Sequence, residues 1–550
     1  DKDGWRGIKW MDARGLEKDA RDGVFGNESS EVYLLIDEQA NMADPSTLTQ
    51  FLTAVALKQS FAERSFVDFW NHGGSYRGFG YDENQEELLS LDEMIMSFDQ
   101  ADLSKLDLIG FDACLMASVE VAQAFSGRGT LLVASEEAEP VHGWNYRHVV
   151  PAYLRTDGAI NYARSLVDDY VNPASHPFES DGKTLSVLAL DEFPALSDAL
   201  DAYGAEYSSS LQATGARSAF ARAAVSSQPF GVAAGGKRDS IDLEDFVAQS
   251  VLFGVPNQGS AGNLLEQVGR FVVYVQNDGT LETTNGVTII PPDKTARGIA
   301  PSLLAGSGWR TLVSNVLALL GSDTAGPVFV ELRPNAEGYE AEFEDQFLTR
   351  VDAVRGLILP NGDLLELFRE ESAPIPLTLF WQIDDWDGTT MHILNGGDAL
   401  PLPLQFLQTK REDGEVFGIY GAQIELLEST DQGGEFDRGT LYLAIREDGT
   451  VDDYQVQTTL VDSEGNEVDG KVVEELGTGD RLKIYARTYD EGSQPEPEFA
   501  LFDEILLTAE PQFRVQPVTI GPPGGLGVLA EDLACNVTLV TIDLLPPGTP

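Results

Sequence analysis

Ser65-Phe66-Val67-Asp68-Phe69-Trp70-Asn71-His72-Gly73-Gly74 and Leu106-Asp107-Leu108-Ile109-Gly110-Phe111-Asp112-Ala113-Cys114 are two short apolar runs, each opening into residues that can do chemistry. Runs of this length, rich in aromatic and branched residues and closed by polar or glycine positions, read as strands. Their surroundings alternate in type. Glu31-Val32-Tyr33-Leu34-Leu35-Ile36 reads as an earlier buried strand, and Ser46 to Lys58 has helical spacing with Asp44 or Ser46 as N-cap. Leu115 to Phe125 reads as a helix, and Thr130-Leu131-Leu132-Val133-Ala134 as a strand opening into Ser135-Glu136-Glu137-Ala138-Glu139-Pro140. Strand alternating with helix is the pattern of an α/β sheet flanked by helices.

The pattern places a His and a Cys just past the C-terminal ends of two strands, the edge of an open α/β sheet where ligands bind. If the strands are neighbours, His72 and Cys114 meet across the crevice despite 42 positions of separation. A thiol with pKa near ~8.5 is little ionised at neutral pH, and an imidazole beside it supplies the base. A helix beginning at Cys114 would add its positive dipole end. Gly73 lets the backbone approach a substrate carbonyl, so the Gly73 and Cys114 N–H groups are a candidate oxyanion hole. The structural alternative is a buried small Cys and a satisfied core His.

The blocks Trp70-Asn71-His72-Gly73-Gly74 and Phe111-Asp112-Ala113-Cys114-Leu115-Met116-Ala117-Ser118-Val119-Glu120-Val121-Ala122 resemble the clostripain-like family of cysteine peptidases, which share the caspase–gingipain–legumain fold. The resemblance continues through Ala134 to Pro140 and Gly143-Trp144-Asn145-Tyr146, and more weakly through Ile241-Asp242-Leu243 and Gly286 to Pro291. It implies a cysteine endopeptidase working through a thioester acyl-enzyme, with Cys114 as nucleophile and His72 as base and later acid. It also implies that Asp112 lies at the floor of the pocket for the residue before the scissile bond, where it would pair with Arg or Lys. The alternative for Asp112 is a helix-capping carboxylate. Where the resemblance implies an acid before Gly143-Trp144, this chain has His142, leaving Glu139 and Glu137 as nearby carboxylates. The family's usual first strand and Asp-Asn-rich turn have no counterpart before Asp1. The chain is therefore expected to be processed, or to take that part of its sheet from elsewhere.

Relatives commonly cut themselves after a basic residue between the His and the Cys. From Gly78 to Ser104 this chain has no Lys or Arg, but it has eight acids. Cleavage after a basic residue within this segment is therefore not expected. The acids are a solvated loop or, less simply, a Ca²⁺ site without EF-hand spacing.

Three regions are expected: 1–150 as the caspase-like core, 151–325 as its α/β continuation, and 326–550 as β-rich, sandwich-like accessory structure. In the middle region Leu185 to Leu190 reads as a strand, Asp191 to Tyr207 as a helix, and Phe271 to Tyr274 as another strand. Asp242 is expected to cap a helix. In the last region turn signals recur at Pro360-Asn361-Gly362, Asn395-Gly396-Gly397, Glu447-Asp448-Gly449-Thr450 and Glu464-Gly465.

Composition narrows the function further. Asp and Glu number 90 against 36 Lys and Arg, a net charge of −54, which excludes a nonspecific nucleic-acid binder. It favours cationic substrates, bound cations or a saline medium that screens self-repulsion. A secreted or cell-surface location follows as an expectation from charge and resemblance. No apolar run approaches the ~18 residues of a membrane span. Two cysteines, Cys114 and Cys535, form no disulfide framework, and a catalytic Cys114 must be free. No HExxH, P-loop or G-x-S-x-G pattern occurs, so no cofactor is required. Expected partners are protein or peptide substrates with basic residues, and the oligomeric state stays open. The competing reading is a non-catalytic surface or assembly protein that keeps the fold and binds through its β-rich part.

Overall fold

The computed structural model describes residues 8–11, 32–36, 41–82, 85–140, 142–175, 182–232, 238–254, 258–281, 283–293, 296, 299, 307–336, 338–345, 347–374, 380–384, 386, 389–412, 415–429, 436–446, 448–461, 467–473, 476–495, 497–518, 524–533 and 536–542. The chain divides into two compact units. One holds residues 1–191, 272–278 and 461–468, and the other holds the remainder.

The first unit begins with β1 (Ile8–Met11) and β2 (Val32–Ile36), which pair antiparallel as a separate ribbon. Thus Val32–Ile36 is a strand, as its apolar run predicts, but not a member of the main sheet. Helix α1 (Pro45–Gln59) starts where Asp44 accepts the Ser46 N–H at 2.7 Å, with Pro45 in the first turn. Then come β3 (Phe66–Trp70), β4 (Phe79–Asp82), β5 (Glu87–Leu89) and α2 (Leu91–Gln100), whose Ser90 and Glu93 form a reciprocal capping box. They lead to β6 (Leu106–Asp112), α3 (Val119–Phe125), β7 (Gly129–Ala134), α4 (Tyr146–Arg155), α5 (Ala159–Val171) and β8 (Thr184–Ala189).

The main sheet has the order β9-β8-β7-β6-β3, with β9 (Val272–Asn277) returning from later in the chain. Strands β3, β6 and β7 are parallel, while β8 and β9 are antiparallel additions. Both faces are covered, which is why β6 is almost wholly apolar. On one face Trp144, Val149, Tyr162, Leu166 and Tyr170 pack on Leu108, Leu131, Val133, Leu185 and Val187. On the other, Phe69, Phe79, Phe98, Phe111 and Phe125 pack ring to ring with centroids 5.0–6.2 Å apart.

The second unit contributes α6 (Phe193–Ser210), α7 (Thr214–Ser226), α8 (Leu243–Leu252), α9 (Gln258–Phe271) and α10 (Ser307–Ser322) around Tyr203, Tyr207, Phe220, Phe246 and Trp309. Helix α6 therefore starts two residues later than its period implies, after a 3₁₀ turn over Leu190–Glu192. Helices α6 and α10 touch at glycines: a Cβ on Gly308 would stand 1.9 Å from the Asp201 carbonyl oxygen. From Val328 the chain is β-rich, as its turn signals predict. A thirteen-stranded sheet accompanies four-stranded and three-stranded sheets; hairpins of the large sheet turn at Gly362 and Gly449 and one of the three-stranded sheet turns at Gly396, all with positive φ. The Glu464-Gly465 turn, His176, Cys535 and both termini lie outside the described residues.

Candidate active site

The parallel ladder between β3 and β6 pairs Phe66 with Leu108 and ends with Trp70 opposite Asp112. His72 lies two residues past Trp70 and Cys114 two residues past Asp112, so equal steps along neighbouring strands bring both to one sheet edge. Beyond the ladder the chain is tightly tied. The Asn71 side chain accepts the His72 N–H at 2.6 Å, Gly80 N–H donates to the His72 carbonyl at 2.9 Å, and Gly74 N–H donates to the Gly78 carbonyl at 2.9 Å. These last two bonds close a bridge between Gly73 and Phe79 that leaves the Gly73 N–H out of its pairing. Gly73 lies flat on the Cys114 backbone: a Cβ there would stand 2.2 Å from the Cys114 carbonyl oxygen.

Cys114 is a buried free thiol. The loop after β7 holds it: Leu115 N–H donates to the Glu137 carbonyl at 3.2 Å, Ala117 N–H to the Ser135 carbonyl at 2.8 Å, and Glu139 N–H points at Cys114 Sγ from 3.3 Å. Leu115 takes φ 63°, an unusual left-handed conformation for a leucine, and this turn swings Cys114 out of the strand. The expected helix from Leu115 does not form. Helix α3 begins at Val119 with Ser118 accepting the Val121 N–H at 3.2 Å, because Ser118 is the first good cap after the turn. Cys114 is therefore not at a helix N-terminus, and a backbone N–H of the neighbouring loop faces its sulfur instead.

Asp112 caps no helix. Its Oδ2 accepts the Trp144 N–H at 2.9 Å and the Tyr146 hydroxyl at 2.8 Å, and the same hydroxyl stands 2.5 Å from Asp68 Oδ2. The Glu139 carboxyl, its oxygens closed off from solvent, faces Asp112 and the Trp144 indole. His142 is half-buried, with Nδ1 2.8 Å from the Gly143 carbonyl, and its charge acts on Asp112. Burial, then repulsion from Asp112, pushes the Asp68 carboxyl up to about 7. Burial raises Asp112 too, against the lowering pull of the Trp144 N–H, and raises Glu139 strongly with Asp112's repulsion added.

Two glycines make room for this acidic wall. A Cβ on Gly143, whose φ is +59°, would stand 2.7 Å from both Asp112 oxygens, and one on Gly110 would stand 2.6 Å from Asp68 Oδ1. Asp68 and Tyr146 were not singled out from sequence. The signal the sequence offers for Asp68 is a charged residue inside the apolar run Phe66–Trp70.

Asp242, in the second unit, caps α8: its carboxylate accepts the Asp245 N–H at 2.8 Å and two bonds from Asn285. The acids between Gly78 and Ser104 enter local structure, Asp82 with the Met42 N–H, Glu93 in its capping box and Asp99 with Arg128. Among the described residues, the carboxylates close enough to share a metal ion are Asp323, Asp345 and Asp532, elsewhere in the second unit. No described helix is long and apolar enough to cross a membrane.

Residues 9–274 match the model of the Clostripain family, C11 cysteine peptidases. Among solved structures, the chain resembles a secreted C11 cysteine protease from Bacteroides thetaiotaomicron in complex with an irreversible peptide inhibitor, at 19% identity over 48% of this chain and 74% of that one, TM-score 0.38. It also resembles an inactive zymogen C11 protease from Parabacteroides distasonis, at 16% identity over 50% and 77%, TM-score 0.39. A third is the B. thetaiotaomicron protease iotapain, at 17% identity over 52% and 83%, TM-score 0.40. No curated protein matches the chain.

Proposed function

We propose that this protein is a cysteine endopeptidase with Cys114 as nucleophile, His72 as general base and acid, and a preference for Arg or Lys before the scissile bond. The observation that carries the reading is the β3–β6 register, which sets His72 and Cys114 two residues past a paired Trp70 and Asp112. His72 takes the thiol proton as sulfur attacks the carbonyl carbon, and the Gly73 and Cys114 N–H groups receive the oxyanion. Collapse breaks the C–N bond, His72 protonates the departing amine, and the thioester remains. Water, deprotonated by His72, then releases the acid and restores the thiol.

The basic-residue preference rests on the wall of Asp68, Asp112 and Glu139, whose hydrogen bonds come from neutral donors and whose basic neighbour is the single ring of His142. Peptide substrates carrying cationic side chains suit a chain of net charge −54, as does an extracellular or surface location in a saline medium. The test compares wild type with Cys114→Ala on fluorogenic peptides that differ only in the residue before the cut. Cleavage after Arg or Lys that vanishes in the variant is the expected result. Equal inertness of both would favour the non-catalytic binding reading.

A further inference from the structure

Alternate residues of β3 share a face, so Phe66, Asp68 and Trp70 point to the side covered by α4 and α5. Asp68 is thus aimed at the same space as Asp112 from the neighbouring strand, and Tyr146 stands between them, 2.5 and 2.8 Å from their carboxyl oxygens. One hydroxyl proton cannot serve two carboxylates at once. Asp68 Oδ1 and both Glu139 oxygens are closed from solvent and make no fully formed hydrogen bond, with only the neutral Phe69 N–H beside Asp68 and the Trp144 indole beside Glu139. Such a cluster is short of positive charge and of donors, and an entering guanidinium or ammonium supplies both. Trp70, 60% exposed, lies beside the cluster with its ring centroid 6.2 Å from that of Tyr146. An aromatic pair there covers the apolar stem of a long basic side chain.

We propose that Asp68 is a specificity-determining residue of this pocket, a second carboxylate beside Asp112 that receives the cationic side chain of the substrate, with Tyr146 as the positioning residue that holds the two acids together. The proposal rests on the peptidase reading above for its substrate. It carries a pH signature. The groups facing Asp68 are Asp112 on β6, Tyr146 on α4, Tyr162 on α5 and Glu139 in the loop after β7, none of them cationic. An empty pocket therefore holds protons near neutrality, and a bound cation displaces one. Raising pH through about 7 improves the site for a cation and leaves it unchanged for a neutral side chain.

The experiment measures kcat/KM for paired peptides with Arg or its uncharged analogue citrulline before the cut, from about pH 5.5 to about pH 8.5. The ratio cancels the titration of His72 and Cys114, which both peptides share. In wild type the ratio should rise about tenfold across the range, since one unit of pKa displacement is about tenfold. Asp68→Asn should lower it about tenfold at high pH and flatten the rise. Tyr146→Phe, which keeps the ring, should shift the rise along the pH axis. A ratio in Asp68→Asn equal to wild type, with the same pH rise, overturns the proposal while leaving the peptidase reading intact.

Benzamidine binding to Cys114→Ala, with and without Asp68→Asn, keeps the question open to measurement if no peptide is cleaved. An affinity about tenfold weaker in the double variant supports the pocket, and equal affinity overturns it. Alkylation of Cys114 by iodoacetamide at the wild-type rate shows that Asp68→Asn has folded.

Discussion

Gly73 and Cys114 lie in backbone contact: a Cβ on Gly73 would stand 2.2 Å from the Cys114 carbonyl oxygen and 3.1 Å from the Ala113 Cβ. The obstructing atom is main chain, so it cannot rotate away. Gly73→Ala must push the His72 loop off the Cys114 turn, and displacements of about 1 Å cost about 100-fold in rate. We expect kcat/KM to fall by at least about 100-fold, with a loss of roughly 1–3 kcal/mol in stability from the forced overlap. Paired kinetics and thermal melts check this. Wild-type kcat/KM in the variant would show that the two loops do not need this contact.

The fold was legible where pattern and packing agree. Strands β3, β6, β7 and β8 are apolar runs because helices cover both faces of the sheet, so period and length sufficed. The Cys114 turn was not legible. Leucine in a left-handed conformation has no propensity signal, so the helix was expected four residues too early, and only Ser118 marked the true start. Nor does period reveal partners: Val32–Ile36 is a strand by composition, but only the tertiary structure pairs it with Ile8–Met11. Asp112 and His72 were named from motif, whereas Asp68 needed the register that sets it opposite Gly110.

The segment from Gly78 to Ser104 offers a clean test of processing. It forms β4, β5 and α2, with Gly78 pressed on the Leu89 carbonyl and the Ser90–Glu93 box closing the helix start. It has no Lys or Arg to present to the pocket proposed above for a basic side chain. Intact-mass spectrometry of enzyme incubated with and without a cysteine-directed inhibitor should find this segment unbroken in both samples. A cut inside it that the inhibitor prevents would mean the enzyme accepts non-basic residues in its own chain.

In the β-rich part, Arg369 is 1% exposed and bonds to Asp352, to Glu531 at 2.9 Å and to Tyr489 at 3.3 Å, while Arg350 pairs with the same two acids at 3.1 and 2.8 Å. Arg369→Met fills the volume but leaves two buried carboxylates sharing one arginine. Breaking a buried pair from one side costs about 3–5 kcal/mol, and the remaining arginine should hold the loss near the lower figure. Denaturant unfolding would measure it. A change below about 1 kcal/mol would mean that Arg350 alone neutralises both acids.

Asp532 gives the sharpest pH prediction for stability. Burial, against the hydrogen bonds of Asn536 and with repulsion from Asp345 and Asp323, pushes its carboxyl up to about 7. The unfolded group titrates near 4, so between about pH 4 and about pH 7 the folded state binds the extra proton. Stability linked to this group is therefore greatest in acid and is lost as pH rises through that window. Asp532→Asn keeps the shape without the charge, so its melting temperature should fall less steeply from pH 5 to pH 8 and exceed wild type most at the alkaline end. Saturating Ca²⁺ offers the same relief to three carboxylates that can bring their oxygens within 4.8 Å of one another. If wild type and variant lose stability in parallel as pH rises, the three acids do not repel one another in the folded chain and Asp532 is ionised throughout.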